Sequence, residues 1–536
     1  MAIGTPSESP AIVVKEVDLT GGVPNVQSTT GAFAGRFRWG PVEDATLLST
    51  EAGLAEEFGA PDDTHAVDFL SAAYFLKYSN ALQVVRVTDT DAANASTTAG
   101  KAKLIKNRDT WDNITNTDSD VMWAKWAGTF GNSLQVVWSD GTNWADWTQS
   151  YKDQFDAAPS GEEHHVLVLD QDGVITGTAN TVLERFPFVS ATSSATSADG
   201  SSNYMKDVIN RQSDYIWLHT ALDSTGSHSL LGGSDGTAPG TDDYLRGFDL
   251  FEDKDTIELD FLIAPQQVSA SDQATVVNDL VATVKDKRKD CVVVTSPAKN
   301  SVVGNATPDT ATITDVGSYT YSSYLFVDNN YLKVYDKYND KYVNIPAASS
   351  TAGIMAAADA ASAPWFSPAG SRRGAYGGVT SLAYTPTKTQ RDALYKAGIN
   401  PIANLPGQGV LLYGDKTHMN RPSAFDRINV RRLFNVIERA VALAARNTLF
   451  ELNDEFTRAE FVNIVEPFLR EIKGRRGITD FRVVCDETNN TPSIIDRNEF
   501  VANLFIKPAR SINYITLNFV AVRSGVDFEE VAGRQV

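Results

Sequence analysis

Cysteine is almost missing from this chain: two residues among 536, Cys291 and Cys485, far apart in the sequence. That excludes a disulfide framework and a cysteine-rich zinc module, and it fits synthesis in a reducing cytoplasm. Long apolar runs are missing too. No stretch of about 18 apolar residues occurs, so no membrane insertion is expected. The opening "MAIGTPSESP" has neither a basic n-region nor an apolar h-region, so no signal peptide is expected. Histidine is scarce, with six residues in all. None forms H-E-x-x-H or another paired-ligand spacing, and no Gly-Lys-Ser/Thr follows a glycine at P-loop spacing, so no metal and no cofactor is expected. His164 and His165 are adjacent and point to opposite faces if they lie on a strand. Internal repeats of roughly 20–50 residues are not visible. Positive charge is in deficit, with a formal net charge of −20. A whole-chain nucleic-acid binder needs a basic footprint, so direct contact with nucleic acid is not expected. The acidity serves solubility, or an outer face that must not stick to its own copies.

What is present is the composition of an ordinary globular chain, 42% hydrophobic and 21% charged, and long enough for several cores. Alternating strand and helix patterns predict an α/β (α+β) multidomain protein. Residues 1–24 read as an N-terminal arm carrying one strand, "AIVVKEVDL", closed by Thr20-Gly21-Gly22. Residues 25–90 and 204–375 read as one discontinuous middle α/β domain. Its signals include the strand "TGAFAGRF", a helix capped by Ser49 and stopped by Gly59, and the buried strand "ALQVVRV". "DYIWLHT", "DFLIAP" and "CVVVTSP" are further strands, the last two flanking a helix over 274–288 in a partly parallel sheet. "YLFVDNNYLKVYD" reads as a hairpin turning at Asp328-Asn329-Asn330. Residues 91–203 read as an inserted, mostly β outer domain ending in a Ser/Thr/Ala linker over 190–203. Residues 376–524 form the last domain, with a helix over 423–450 capped by Ser423 and Asp426. A second helix starts with a capping box at Thr457 and Glu460, and Pro467 should kink it. Residues 525–536 are a C-terminal arm.

Few motifs suggest chemistry. "GGSDG" over 232–236 matches the G-x-S-x-G pattern, which matters only on a strand–turn–helix. "TAPGTDD" follows it and starts a helix poorly, so a flexible turn is the reading. It is the one support, with the α/β core, for a soluble enzyme. "SRRGAYGG" reads as a loop whose arginines pair with carboxylates. On the long helix, Arg432, Arg439 and Arg446 are seven residues apart, close to two turns, and form a stripe drifting about 20° per step. From Arg421 to Arg446 six arginines stand against two acids. The stripe is either a solvated face or a docking surface for an acidic partner, which arginine's planar fork favours.

"FVANLFIKPARSINYITLNFVAVR" over 500–523 has two β-like runs. The first places Phe500, Ala502, Leu504 and Ile506 on one face. The second is apolar on both faces, with Ile515, Leu517 and Phe519 on one of them. A lone two-stranded hairpin is marginal in water, and about a dozen residues follow it. It therefore needs further strands to complete a sheet.

Several segments carry a family likeness: "VDLTGGVPNVQSTTGAFAGRFRWGPV", "APWFSPAGSRRGAY", "YKAGINPI", and nearly all of 455–522, including "GRRGITDFRVVCDETNNTP". With these the chain resembles the contractile tail sheath proteins of bacteriophages, particularly the T4-like myophages. The likeness is weak over 91–200. The resemblance implies a non-enzymatic virion subunit, assembled in the host cytoplasm. Such subunits form hexameric rings stacked helically around a tail tube, with baseplate and tail terminator proteins as further partners. Contraction then drives the tube through the host envelope. It also implies terminal arms that add strands to neighbouring subunits. Ile12, Val14, Val17, Leu504, Ile506, Ile515, Leu517, Phe519, Phe528 and Val531 are the residues expected in that exchange. The last domain would face the tube, with Arg432, Arg439 and Arg446 as candidate contacts. The sheath of a phage-derived injection device, tailocin or secretion-type, is the alternative.

Overall fold

The computed structural model describes residues 29–114 and 120–513. Its centre is a six-stranded sheet. In spatial order the strands are Leu325–Val327, Val292–Thr295, Phe261–Ile263, Gly31–Gly35, Leu82–Arg86 and Ala45–Leu48. The first five run parallel and the last pairs antiparallel. Strand residues alternate between two buried faces. Phe33, Val84, Phe261 and Phe326 meet the helices Ala66–Leu76 and Ala348–Ala361. Ala32, Val85, Leu262 and Val293 meet the helices Thr241–Asp249 and Ala270–Ala282. A Cβ on Gly31 would lie 2.7 Å from the Phe75 ring, so the close seating of that helix on the sheet needs glycine there.

The predicted strands of this sheet and the Ala66–Leu76 helix are present, with local differences. Thr50, one residue after the expected Ser49, caps Glu51–Phe58 by accepting from Gly53 N. Asp328-Asn329-Asn330 is not a hairpin turn. It links the sheet's edge strand to a separate three-stranded sheet, in which Tyr331–Asp336 pairs with Lys341–Pro346. The reason is polar satisfaction in the interior. Asp328 accepts from Ser296 Oγ at 2.8 Å, Asn329 accepts from Ile402 N at 2.7 Å, and Asn330 donates to Tyr384 O at 2.8 Å. Burial pushes the Asp328 carboxyl up to about 7.

A second unit is β-rich. Its four-stranded sheet runs Thr181–Ser190, Glu163–Asp170, Leu134–Asp140, Gly226–Ser229. Met122–Ala124 pairs with Ile216–Leu218 beside it. The strand at "DYIWLHT", expected in the middle domain, therefore belongs here, and the expected boundary at 203 falls inside this unit's packing. The Ser/Thr/Ala stretch is no linker between units: bridges Ser190↔Tyr204 and Thr196↔Ser202 fold it onto the same body. Arg86, 1% exposed, ties this unit to the central sheet. It donates to the carbonyls of Phe37, Gly40 and Arg38, and to Ala127 O at 2.7 Å.

The third core joins Leu433, Ile437, Phe461, Val465 and Leu469 with Ala363 and Trp365. Its helices are Ile428–Ala445 and Glu455–Gly474. The first starts after Arg427; Ser423 and Asp426 instead close the preceding turn. The second is capped by Asp454, whose carboxylate accepts from Thr457 N at 2.8 Å, and it continues past Pro467. Leu394, Ile402 and Leu412 pack with the central cores, so the stretch from 376 to about 428 belongs with the middle body. Among the described residues no helix is long and apolar enough to cross a membrane.

Candidate assembly surface

The C-terminal strand Asn503–Pro508 pairs antiparallel with Ile478–Val484, with Phe481 opposite Ile506 and Val483 opposite Leu504. The pairing expected with the run from Ile512 onward lies outside the described residues, which end at 513. Phe481 and Val483 alternating with Arg482 were the signal for this partner. Ala502, Leu504 and Ile506 turn inward onto the helix core, while Phe505 is 60% exposed on the other face. Among the described residues this sheet has two strands, so each has an outer edge that no other described strand pairs. Any exchange here uses those backbone edges, because the Leu504 and Ile506 side chains already pack within their own subunit. Ile12, Val14, Val17, Ile515, Leu517, Phe519, Phe528 and Val531 lie outside the described residues.

The chain beyond this strand is anchored at one buried carboxylate. Asp415 is 2% exposed and gathers five donors. Its Oδ1 accepts from Arg427 Nη1 at 2.9 Å, Asn513 Nδ2 at 3.0 Å and Tyr395 OH at 3.3 Å. Its Oδ2 accepts from Ser511 Oγ at 2.8 Å and Ser367 Oγ at 3.0 Å. Burial, with the Asp415 charge adding to it, holds the Tyr395 phenol up at about 12, so it remains a donor. Ser511 and Asn513 are thereby fixed against the middle body just before the chain continues to 514–536. The sequence pattern does not reveal this hub, because its five donors come from four separate segments that only the fold unites. Asp415→Asn, which keeps the shape and removes the charge, should raise hydrogen exchange and protease cleavage at 509–513 by about tenfold or more, as a charged hydrogen bond worth roughly 1.5–3 kcal/mol is lost. Unchanged protection there would show that other contacts hold this segment.

Two of the three arginines of the stripe face inward. Arg432 pairs with Asp359, both side chains almost fully buried, and its guanidinium lies 4.8 Å from the Phe261 ring centroid. Arg439 pairs with Asp260 at 3.0 Å and donates to Leu259 O at 2.6 Å. Burial pushes the Asp260 carboxyl up, with the Arg439 charge opposing. Between them, Asn435 Nδ2 donates to Cys291 O at 3.2 Å. The helix thus crosses the amino ends of the parallel strands Phe261–Ile263 and Val292–Thr295 and satisfies carbonyls that precede them. This corrects the expectation for Arg432 and Arg439, which an acidic partner cannot reach. Arg446 is exposed and pairs with the exposed Asp255 at 2.8 Å, so of the three it alone is accessible.

Two other motifs resolve locally. The Ser234 hydroxyl accepts from Gly236 N at 3.1 Å, and the next helix begins at Thr241, so "GGSDG" is a turn and not a strained nucleophile elbow. Arg373 in "SRRGAYGG" donates to Ser367 O at 2.9 Å and lies over the Phe366 ring, in place of the expected carboxylate pairing.

Residues 237–418 match the central domain of the phage tail sheath protein, and residues 420–521 match the phage tail sheath C-terminal domain. This chain belongs to the phage tail sheath family. The sheath protein is 32% identical to the tail sheath protein of Vibrio phage KVP40, over 98% of this chain and 99% of the relative. It is equally similar to the tail sheath protein of Enterobacteria phage T4, at 32% identity over 98% and 99%. The alignment with the KVP40 protein runs over 676 positions against 536 residues here, so that relative carries insertions this sheath protein lacks. Two solved structures share the fold. A sheath tail protein from Listeria innocua superposes with TM-score 0.59 at 14% identity, over 91% of this chain and 93% of that one. The helical sheath of the anti-feeding prophage, in its contracted state, gives TM-score 0.55 at 13% identity, over 96% and 99%. The break between the two matched domains, at 418–420, falls just before the long helix that locks onto the central sheet. As a phage tail sheath protein the chain is a structural component of the virion.

Proposed function

We propose that this sheath subunit polymerises as hexameric rings stacked helically around the tail tube, and contracts to drive the tube through the host envelope during genome delivery. The observation that carries this reading is the two-stranded C-terminal sheet, whose outer edges no other described strand pairs, next to a segment anchored by Asp415 just before residue 514. Such a sheet is completed by strands from other copies, the N-terminal arm of one neighbour and the C-terminal arm of another. In this arrangement the C-terminal unit lies innermost toward the tube, the central sheet forms the middle domain, and the β-rich unit is outermost. Arg446 is then the member of the arginine stripe placed to meet an acidic tube surface. Baseplate and tail terminator proteins cap the two ends, and assembly takes place in the host cytoplasm. The role is mechanical and not enzymatic.

Electron microscopy of the purified protein at increasing concentration tests the reading. Helical tubes or stacked rings are expected. A chain that stays a 58.2 kDa monomer at high concentration would overturn it. The same mechanism serves phage-derived injection devices, and the fold shared with the anti-feeding prophage sheath keeps that second setting open.

A further inference from the structure

The turn between the two C-terminal helices is built unlike an ordinary surface loop. Leu449, Phe450, Leu452 and Phe456 are 62%, 104%, 76% and 76% exposed. Phe450 also holds φ at +71°, a backbone region that bulky residues avoid. Strain and dense apolar exposure at one point mark an interaction site more than a structural need, since neither stabilises the isolated subunit. The rim is acidic: Glu451, Asp454, Glu455 and Glu460 are all exposed. Of the basic residues beside it, Arg458 is buried and bonds Asn453, and Arg446 forms a solvent-facing pair with Asp255.

The opposite end of the same unit has the opposite character. Helix Glu455–Gly474 has 20 residues, so its ends lie roughly 30 Å apart. At the far end Arg470, Lys473, Arg475 and Arg476 are exposed. Three of these make ion pairs, with Glu466, Asp480 and Glu471, all between solvent-facing side chains and therefore weak. Arg476 makes no ion pair among the described residues. The long cationic side chains here also lie over aromatic rings: the Arg475 guanidinium is 5.0 Å from the centroid of the buried Trp365 ring and Lys473 Nζ 6.0 Å from that of Phe481.

We propose that these two ends meet between copies: the apolar, acid-rimmed turn at 449–456 docks against the basic end of helix Glu455–Gly474 in a second copy of this chain. The contact uses two different patches of one subunit, so it is head-to-tail and propagates into a filament instead of closing on a pair. Phe450 and Phe456 would lie against arginine and lysine stems, burying apolar area and adding cation–π attraction. The acidic rim would pair with the guanidinium groups. The contact rests on the sheath reading, because it needs copies arranged in line, but it is separate from strand exchange by the arms.

Charge reversal with complementation tests it in the full-length protein. One variant carries Glu451→Lys, Glu455→Lys and Glu460→Lys; the other carries Arg470→Glu, Lys473→Glu and Arg476→Glu. Circular dichroism and thermal melting establish that both fold. Each variant alone should need about tenfold more protein to assemble, a loss of roughly 1.4 kcal/mol per contact. The equimolar mixture should assemble near the wild-type concentration, since one variant presents two basic ends and the other two acidic ends. Phe450→Ser should weaken assembly with no rescue by either variant. Reversed variants that assemble like the wild type would overturn the contact. So would a folded mixture that stays unassembled, in which case the turn covers residues 514–536 of its own chain or the tube. A wild-type protein that forms no rings or tubes would overturn the sheath reading, and this contact with it.

Discussion

Deleting residues 1–20, or residues 525–536, is expected to leave a subunit that folds and no longer polymerises. The three cores are closed by residues between 29 and 513: the central sheet from Gly31 to Val327, the β-rich unit around Trp138 and Val166, and the C-terminal helices around Leu433 and Val465. These cores are assembled among the described residues, so the melting temperature of each truncated chain is expected to stay close to that of the full chain. Assembly should fail because each exchanged strand contributes several backbone hydrogen bonds, each worth roughly 0.5–1.5 kcal/mol net, and a helical lattice multiplies that term over its copies. Melting curves and electron microscopy of the truncated proteins decide the matter. Tubes formed as readily by the shortened chains would make strand exchange the wrong account.

Arg432→Ala should be among the most damaging single substitutions in the chain, at about 3–5 kcal/mol of unfolding free energy. The loss comes from what is left behind. Asp359 would remain buried with its guanidinium partner gone, at a site where water cannot replace it. Arg432→Met combined with Asp359→Leu should recover most of the stability, because two apolar side chains of similar size remove both charges together. Arg446→Ala should change stability by no more than about 0.5 kcal/mol, since both partners of its pair face solvent. Denaturant unfolding of the three proteins gives the ordering. Equal losses for Arg432 and Arg446 would mean that the helix is not keyed to the central sheet through the buried pair. Because Arg432, Asn435 and Arg439 all bond across the same junction, the C-terminal unit and the central sheet should move as one body.

Much of the secondary structure was legible because it is encoded locally. The buried strands at Gly31–Gly35, Leu82–Arg86 and Val292–Thr295 are short apolar runs between turn residues, and the helix Ala66–Leu76 repeats its apolar positions at helical spacing. Caps were read to within a few residues, Thr50 for Ser49 and Asp454 for Thr457, because several adjacent polar side chains can each reach the first free amides. Partnership was not legible. Asn503–Pro508 pairs with Ile478–Val484, a neighbour the period of two does not name. Ile216–Leu218 joins the β-rich unit instead of the parallel sheet. A strand's period of two says which face is apolar but not which edge finds which neighbour.

The same division runs through the candidate site. From its residues alone the chain was assigned to the α/β (α+β) class, without membrane span or cysteine framework, and its motifs carried the likeness to tail sheath proteins. These are properties of composition and of short runs, and they need no knowledge of what lies across space. The arginines at seven-residue spacing formed a stripe, as helical geometry requires, but spacing cannot say which way a stripe faces. The fold turned Arg432 and Arg439 onto Asp359 and Asp260 and left Arg446 in solvent. It also brought Ser367, Tyr395, Arg427, Ser511 and Asn513 around Asp415. Which charges are neutralised inside a subunit, and which remain for its neighbours, depends on desolvation and on distances between residues remote in sequence. That was decided by the tertiary structure alone.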